Sequence, residues 1–162
     1  MLIRPAAPAE LPAVGELTVA AYAADGFLEG TDDYADELAD AARRAELATV
    51  LVAVDEASGR LLGSVTFCLA GSPYAEVSAP GEAEFRMLAV APEGRGKGTG
   101  AALVHTCIEM ARAAGSTALA LCSLETMSTA HRIYQRVGFT RAPERDWQPV
   151  PGLTLVAFVL PL

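Results

Sequence analysis

A glycine-rich segment with two cations is the part of the sequence that most clearly carries chemistry. It reads Gly94-Arg95-Gly96-Lys97-Gly98-Thr99-Gly100 and runs into a stretch with helical spacing of apolar residues. Glycine lets successive backbone N–H groups point at one oxyanion, and the N-terminus of a helix adds the positive end of its dipole. Because Arg95 and Lys97 add positive charge, the segment predicts a binding site for a phosphate or diphosphate group.

Two common phosphate-binding motifs fit this segment poorly. The P-loop motif requires Ser or Thr after its Gly-Lys pair, and here Gly98 follows Lys97. A dinucleotide fingerprint can be aligned as Gly96-x-Gly98-x-x-Ala101, but it should follow a strand directly, and residues 91–95 intervene. A protein that binds NAD or ATP through this loop therefore stays an alternative interpretation.

A second segment lies downstream and reads Ala130-His131-Arg132-Ile133-Tyr134-Gln135-Arg136-Val137-Gly138-Phe139. The two segments together resemble the signatures of the GNAT superfamily of N-acetyltransferases. These are an acyl-CoA-binding motif, Q/R-x-x-G-x-G/A, and a later A-x-x-h-Y-x-x-x-G-F segment in which h is apolar. Their order and separation agree with the family, and the predicted elements match its fold over nearly the whole chain. The resemblance implies direct transfer of an acetyl group from acetyl-CoA to a primary amine.

The resemblance also implies which residues hold acetyl-CoA. Main-chain groups of the strand before the loop would bond the pantetheine arm, and an N–H near Leu88 would polarise the thioester carbonyl. Met127 stands where the family often has an Asn that bonds the same arm, so one polar contact is missing. The expected cofactor-binding residues are Leu88, Ala89, Val90, Arg95, Gly96, Lys97, Gly98, Thr99, Gly100, Ala101 and Met127.

Two catalytic groups are implied as well, since the amine must lose a proton and the leaving thiolate must gain one. Tyr134 matches the family tyrosine near the CoA sulfur and is the expected acid; the alternative is a buried structural tyrosine. Glu84 lies on the strand where several members carry a carboxylate base, and the alternative is a Glu84 that is solvated or paired with Arg86. Glu82 and Glu125 are reserve candidates for the base.

Charge is distributed unevenly along the chain, which has 12 basic and 20 acidic residues and a net charge of −8. Residues 1–81 contain 13 acidic and 4 basic residues, whereas residues 82–162 contain 7 acidic and 8 basic residues. This pattern favours a cationic acceptor, either a small amine or a peptide amine, although a solvated helix face explains the same charges. Tyr22 and Phe27 lie in the segment that shapes the acceptor side in the family and are the expected substrate-binding residues.

Composition argues against several other classes of protein. With 52% apolar and 20% charged residues, the chain has the composition of a globular protein. No stretch reaches the roughly 20 apolar residues of a membrane span, and Met1–Pro5 does not open a signal peptide, so we expect a cytoplasmic protein without a membrane partner. A pI near 4.7 argues against a nucleic-acid partner.

The cysteines and histidines predict no metal site and no disulfide. Metal ligands need fixed spacings, and none of these residues has a partner at such a spacing. In particular, Cys122 is expected to be a buried structural thiol rather than an acylated nucleophile. The residues concerned are Cys68, Cys107, Cys122, His105 and His131.

Apolar periodicity and turn residues predict the elements that position these groups. Helices are expected at about 11–22, 32–45, 98–114 and 127–137. Thr31 is expected to cap the second of these helices, whose apolar stripe consists of Tyr34, Leu38, Ala41 and Ala45. Strands are expected at 2–4, 49–54, 61–69, 83–90, 117–122, 139–140 and 153–160, with Trp147 in a loop. The strands 49–54 and 61–69 are separated by the turn-like residues 55–59 and are expected to form a hairpin.

These elements predict an α+β (mixed α/β) fold with a GNAT-like, mostly antiparallel mixed sheet flanked by about four helices. We expect a single domain over residues 1–162. An acyl-CoA sensor or scaffold without turnover stays an alternative to the enzyme. The acceptor, the acyl chain length and the oligomeric state, with a homodimer among the alternatives, stay open.

Overall fold

The computed structural model describes residues 1–28 and 32–162 of the chain. The described residues form two compact units. The first consists of Met1–Phe67 and Met87–Val104, and the second of Cys68–Arg86 and His105–Leu162. The interpretation of residues 1–162 as a single domain stays a prediction.

Helices and strands are mixed along the chain, as the α+β prediction requires. The helices are α1 (Leu11–Ala24), α2 (Asp32–Ala39), α3 (Ala41–Leu47), α4 (Thr99–Ala113) and α5 (Ser128–Val137). The strands are β1 (Leu2–Pro5), β2 (Thr49–Val54), β3 (Leu61–Leu69), β4 (Ala83–Val90), β5 (Ala118–Leu124), β6 (Thr140–Arg141), β7 (Trp147–Val150) and β8 (Leu153–Pro161). Among the described residues, no helix is both long enough and apolar enough to span a membrane.

In the first unit, β2 pairs antiparallel with β1 and with β3, which confirms the predicted hairpin. The turn of this hairpin is closed by Asp55, whose carboxylate accepts the N–H groups of Ala57 and Ser58. One face of β2 packs on α1 and α3. The buried residues of this core are Val14, Ala41, Val50, Val52 and Val54.

The prediction of one helix through Ala45 is wrong, because the chain forms α2 and α3 with a break at Asp40. Asp40 leaves the helical conformation (φ −82°, ψ 65°), and its carboxylate accepts the N–H of Arg43 at 2.9 Å. An Asp that caps a new helix outweighs the continuous apolar stripe. The cap predicted at Thr31 lies outside the described residues.

Replacing Gly15 with Ala should destabilise the protein by about 1–3 kcal/mol, although Ala is the better helix former. A Cβ atom at Gly15 would lie 2.1 Å from the carbonyl oxygen of Ala39, so α1 and the end of α2 would have to separate. Urea unfolding measures the effect. Substitution of the exposed neighbour Glu16 by Ala is the control, with a change within about 0.5 kcal/mol. A G15A variant as stable as the parent would contradict this explanation.

In the second unit, β4 pairs parallel with β5, while β8 pairs antiparallel with β5, β6 and β7. Parallel and antiparallel pairs therefore coexist, as expected of a mixed sheet. Trp147 lies in β7 and not in the predicted loop. The sequence gives little signal for β7, because Pro149 removes a backbone donor and is typical of edge strands or loops.

Candidate active site

Strand β4 departs from regular extended geometry at Met87. This residue has φ 54°, in the left-handed region that side chains other than glycine rarely adopt. A positive φ inside a strand is the distortion that a bulge produces. Beyond it, the side chain of Ala89 is buried and those of Leu88 and Val90 are half-buried. Their main-chain contacts with a cofactor stay a prediction.

The loop that follows β4 needs its glycines for two different reasons. A Cβ atom at Gly94 would lie 2.4 Å from the carbonyl oxygen of Leu62, so no larger residue fits there. Gly96 and Gly98 adopt φ values of 72° and 78°, which strain any other residue. No atom of the described residues lies within 4 Å of a Cβ built at either position, so the loop is open around both glycines.

The first turn of α4 presents backbone donors beyond this loop. The N–H of Ala102 donates to the carbonyl oxygen of Gly98 at 2.9 Å and makes the first hydrogen bond of the helical pattern. The N–H groups of Thr99, Gly100 and Ala101 precede that bond, and Gly98 has no side chain to accept them. A helix start whose preceding residue, Gly98, has no side chain to cap it, together with an open, glycine-lined approach, fits a diphosphate.

The side chain of Thr99 has a structural role in this loop. It is 1% exposed, and its hydroxyl donates to the carbonyl oxygen of Gly94 at 2.9 Å. This bond closes the loop over five residues and fixes the start of α4. Because the hydroxyl is used in this bond, the group of Thr99 that we expect to contact a ligand is its backbone N–H.

The two cations of the loop lie in different surroundings. The guanidinium of Arg95 is 3.7 Å from the carboxylate of Asp25, and both side chains are about half exposed. Lys97 is exposed and lines an open groove of about 320 Å³ with Met1, Leu62 and the hairpin residues 55–57. Arg95 therefore links the glycine loop to the segment after α1.

The predicted acceptor residues belong to a small aromatic cluster in the first unit. The rings of Tyr22 and Phe27 lie 6.2 Å apart, edge to face, and Tyr34 contacts Tyr22 at 6.1 Å. Tyr22 is 8% exposed, whereas Phe27 is half-buried. Sequence reasoning assigned Tyr34 only to a helix stripe and missed its place in this cluster.

Tyr134 lies in the second unit, on α5, and is 4% exposed. Its ring contacts Phe85, Phe139 and Phe158 at centroid distances of 5.8, 6.1 and 5.7 Å. Burial raises the pKa of the phenol well above its usual range, so the hydroxyl is protonated at neutral pH. Within the described part of the chain, this hydroxyl makes no hydrogen bond. Tyr134 thus presents a protonated donor at the edge of an aromatic core.

Glu84 is fully buried on β4 and is held through one carboxylate oxygen. Its Oε2 accepts the backbone N–H groups of Glu76, Val77 and Ser78 at 2.9, 3.0 and 2.9 Å. Three donors on one oxygen fix the orientation of the carboxylate. Its Oε1 is also buried and has no hydrogen-bond partner among the described residues. Glu84 therefore has one oxygen that is anchored and one that makes no hydrogen bond within the described part of the chain.

Glu82 and Glu125, the reserve candidates for the base, and Arg86, the alternative partner of Glu84, lie in surroundings that differ from that of Glu84. Glu82 accepts two hydrogen bonds from the guanidinium of Arg145, at 2.6 and 3.0 Å, and this partner lowers the pKa of the Glu82 carboxyl. A carboxylate held in this way is a weak base. Arg86 pairs with Glu76 at 2.6 Å, and Glu125 is exposed in the turn before α5.

Met127 and His131 both contact Ser123 in the second unit. The hydroxyl of Ser123 contacts the sulfur of Met127 at 3.3 Å and Nε2 of His131 at 3.1 Å. His105 is exposed on α4. Met127 therefore makes a polar contact inside the second unit, and its contact with a cofactor stays a prediction.

Sequence reasoning missed one cluster, which brings Glu76 and Cys122 to Glu84. One ligand atom from each of the three residues lies within 4.8 Å of the other two. Cys122 Sγ is 3.4 Å from Glu76 Oε2. The three residues come from two strands and the segment before β4, at separations of 8 and 38 residues, and no sequence pattern signals their proximity.

The mixed sheet with its helices, the glycine loop before α4 and the buried tyrosine on α5 are the features that the resemblance implies. The family model described as "Acetyltransferase (GNAT) family" matches residues 13–139. The chain therefore belongs to the GNAT acetyltransferase family.

Individual relatives agree with this assignment. An uncharacterized N-acetyltransferase of Schizosaccharomyces pombe is 34% identical over 104 residues, which are 64% of this chain and 59% of that protein. The chain thus matches less than two thirds of the length of this curated relative. A GCN5-related N-acetyltransferase of Kribbella flavida is 28% identical, with a TM-score of 0.71 over 99% of this chain and 97% of the other.

A third relative carries a ligand in its crystal structure. The Salmonella typhimurium protein yncA, solved with its cofactor acetyl-CoA, is 23% identical, with a TM-score of 0.68 over 100% of this chain and 94% of that one. At this identity the likeness shows the shared fold. The predicted GNAT-like α+β fold is confirmed.

Proposed function

We propose that this protein is an acetyl-CoA-dependent N-acetyltransferase that transfers the acetyl group directly to a primary amine on a cationic small molecule or peptide. The observation that carries the proposal is the start of α4 after Gly98, which has no side chain to cap the helix, next to an open glycine loop in a chain of the GNAT family. Acetyl-CoA supplies the activated acetyl thioester when it binds. A cytoplasmic location and a homodimer stay predictions.

The glycine loop would bind the diphosphate of the cosubstrate. The N–H groups of Thr99, Gly100 and Ala101 provide donors, and the helix dipole favours the negative charge. Arg95 and Lys97 add two cations in a chain whose net charge is −8. This local positive charge makes the loop a favourable place for an anion on an otherwise acidic protein.

Tyr134 would donate a hydrogen bond, and then a proton, to the thiolate that leaves. The donor must be protonated before the reaction, and burial keeps the pKa of Tyr134 high enough for that. Its hydroxyl makes no competing hydrogen bond in the described part of the chain. The family resemblance supports its place beside the sulfur.

Glu84 would accept the proton of the acceptor amine at Oε1, directly or through a water molecule. The three N–H groups on Oε2 fix the carboxylate, so its orientation needs no rearrangement during the reaction. The rival carboxylate Glu82 is bound to Arg145, which favours Glu84 for this role.

The acceptor is proposed to be cationic because acidic residues lie close in sequence to the residues of the aromatic cluster. Asp25 lies between Tyr22 and Phe27 in the sequence, and α2 adds further exposed carboxylates. An ammonium group is attracted both by carboxylates and by the faces of aromatic rings. A neutral amine gains neither contribution.

Calorimetry with acetyl-CoA, CoA, NAD and ATP, followed by thiol release across a panel of amines, tests the proposal. We expect binding of acetyl-CoA and CoA, and thiol release that depends on the amine and is faster with cationic than with neutral acceptors. Binding without turnover on any amine would favour the sensor. Binding of NAD or ATP without CoA would favour the nucleotide-binding alternative.

Replacing Lys97 with Ala should weaken acetyl-CoA binding about tenfold and leave kcat nearly unchanged. A charge-assisted contact to phosphate contributes about 1.5 kcal/mol, which is roughly a factor of ten in Kd. Calorimetry at two salt concentrations measures the change, and the variant should be the less sensitive to salt. The control is Arg112→Ala, an exposed cation of α4 paired with Glu109. Equal losses in both variants would indicate a general charge effect.

A further inference from the structure

Arg44 is a charged residue in the interior of the first unit. It lies on α3, its side chain is 1% exposed, and it is among the largest side chains that are fully buried. Arginine is almost never buried in this way unless other groups bind its charge. Removing a guanidinium from water costs free energy, and the bonds that it makes inside the protein must offset that cost. Those bonds show which elements Arg44 joins.

One branch of the guanidinium binds the end of α2. Nη1 of Arg44 donates to the carbonyl oxygens of Leu38 and Glu37, at 2.6 and 3.1 Å. Carbonyl groups in the last turn of a helix need donors from outside that helix, and the negative end of the helix dipole favours a cation there. Because the chain breaks at Asp40, the side chain of Arg44 reaches back from α3 and caps α2.

The other branch binds α1. Nη2 of Arg44 donates to Thr18 Oγ1 at 3.4 Å, and this hydroxyl donates its own proton to the carbonyl oxygen of Val14 at 2.7 Å. The hydroxyl of Ser64, on β3, lies 3.4 Å from Thr18 Oγ1, and both of these residues are buried. Arg44 therefore joins α1, α2 and α3 at one buried point.

A close contact between α1 and α2 lies beside this point. A Cβ atom at Gly15, one turn before Thr18, would lie 2.1 Å from the carbonyl oxygen of Ala39. Ala39 directly follows Leu38, whose carbonyl oxygen Arg44 binds. The backbone contact brings the two helices together, and the guanidinium fixes how they lie along each other.

The aromatic cluster lies one turn beyond this crossing on both helices. Tyr22 follows Thr18 by four residues on α1. Tyr34 precedes Leu38 by four residues on α2. Residues four apart lie on the same face of a helix, so the rings are one level above the bonds of Arg44. The rings of Tyr22 and Tyr34 are 6.1 Å apart, and a shift of α2 along α1 would change this separation.

We propose that Arg44 is a positioning residue for the acceptor, because it holds α2 against α1 and thereby fixes the aromatic cluster that would receive a cationic amine. The inference rests on the proposed function, in which this cluster attracts the acceptor. Arginine suits the role because the branches of its guanidinium reach two helices at once, whereas the ammonium of a lysine is a single point charge. Arg44 acts on acceptor binding through Tyr22 and Tyr34, and has no part in acetyl-CoA binding or proton transfer.

Steady-state kinetics of Arg44→Met and Arg44→Lys test the proposal. We expect the KM for the acceptor amine to rise about tenfold in Arg44→Met and less in Arg44→Lys, with kcat and the Kd for acetyl-CoA within about threefold. The control is Val54→Ala, which truncates a buried residue of β2 and leaves the bonds of Arg44 intact. It should lower the midpoint of urea unfolding without changing the KM. An unchanged KM in both Arg44 variants, or an equal rise in Val54→Ala, would overturn the proposal.

Tyr34→Ala separates this proposal from the proposed function. It should raise the KM for the acceptor by itself, and Arg44→Lys should add little in that background, because both substitutions act on one contact. If the two rises are additive, Arg44 does not act through the cluster, and the proposed acceptor side still stands. An unchanged KM in Tyr34→Ala would overturn both.

Hydrogen exchange provides a readout that requires no turnover. In Arg44→Lys the amide protons at the end of α2 should exchange about tenfold faster, while those of β2 keep the parent rate. One such amide is that of Asp40, which donates to the carbonyl oxygen of Asp36 at 3.1 Å. Exchange in α2 as slow as in the parent would overturn the proposal even if no amine proved to be a substrate.

Discussion

Replacing Tyr134 with Phe should lower kcat for acetyl transfer about 100-fold or more and leave the Kd for acetyl-CoA within about twofold. General acid catalysis contributes roughly 10²–10⁴-fold, and the substitution removes only the proton donor. The ring keeps its contacts with Phe85, Phe139 and Phe158, so the aromatic core is preserved. Thiol release at saturating substrates measures kcat, and calorimetry measures Kd.

A second buried tyrosine offers the matched control for this experiment. Tyr74 is 8% exposed, and Tyr74→Phe removes a hydroxyl from the same unit without touching the proposed acid. Its kcat should stay within about threefold of the parent, well short of the effect proposed for Tyr134. Should Y134F turn over as fast as the parent, the acid would be another group, and Tyr134 would be a structural tyrosine.

The pH dependence provides an independent check on the same residue. Because the pKa of Tyr134 is raised above its usual range, its hydroxyl stays protonated through neutral and mildly alkaline pH. We therefore expect no loss of kcat from this group below about pH 10, the ordinary pKa of a phenol. A fall in kcat near pH 8 that disappears in Y134F would show that the donor titrates much lower.

Replacing Glu84 with Gln should lower kcat/KM at pH 7 about 100-fold, with a smaller loss at high pH. Gln keeps the size and an oxygen that can accept the N–H groups of Glu76, Val77 and Ser78, but it cannot take a proton. At high pH the acceptor amine is already neutral, so the base matters less. Profiles of kcat/KM against pH for parent and variant measure both effects.

The exposed carboxylate Glu125 provides the control for this variant. Glu125→Gln changes the same functional group in the turn before α5 and should leave kcat/KM within about twofold. Thermal unfolding of both variants separates a loss of activity from a loss of structure. A parallel drop at all pH values in E84Q would indicate that Glu84 anchors the segment 76–78 and does not act as the base.

The sequence by itself determined the family and the local signals that belong to it. Spacing in the loop 94–100 predicted an anion site, which stays a prediction, and it correctly predicted that a helix begins at the end of this loop. Hydrophobic periodicity predicted the hairpin of β2 and β3 and the helices α4 and α5 within a few residues. These features depend on residues close together in the chain, so local pattern is sufficient to find them.

Only the tertiary structure decided which polar groups meet. Glu84 and Arg86 alternate on β4, and Glu82 continues the same alternation just before the strand, so the three look equivalent in the sequence. In the structure, Glu82 pairs with Arg145, Glu84 accepts three backbone N–H groups, and Arg86 pairs with Glu76. Each partner comes from a distant or irregular segment.

The same reason explains the elements and the cluster that were missed. The pairing with β8 stabilises β7, although Pro149 lacks a backbone donor. The helix α2 ends before Asp40, whose carboxylate caps α3. Cys122 meets Glu76 because the sheet brings β5 to the segment before β4. Pairing across the sheet has no period along the chain, so its outcome is decided by the folded structure alone.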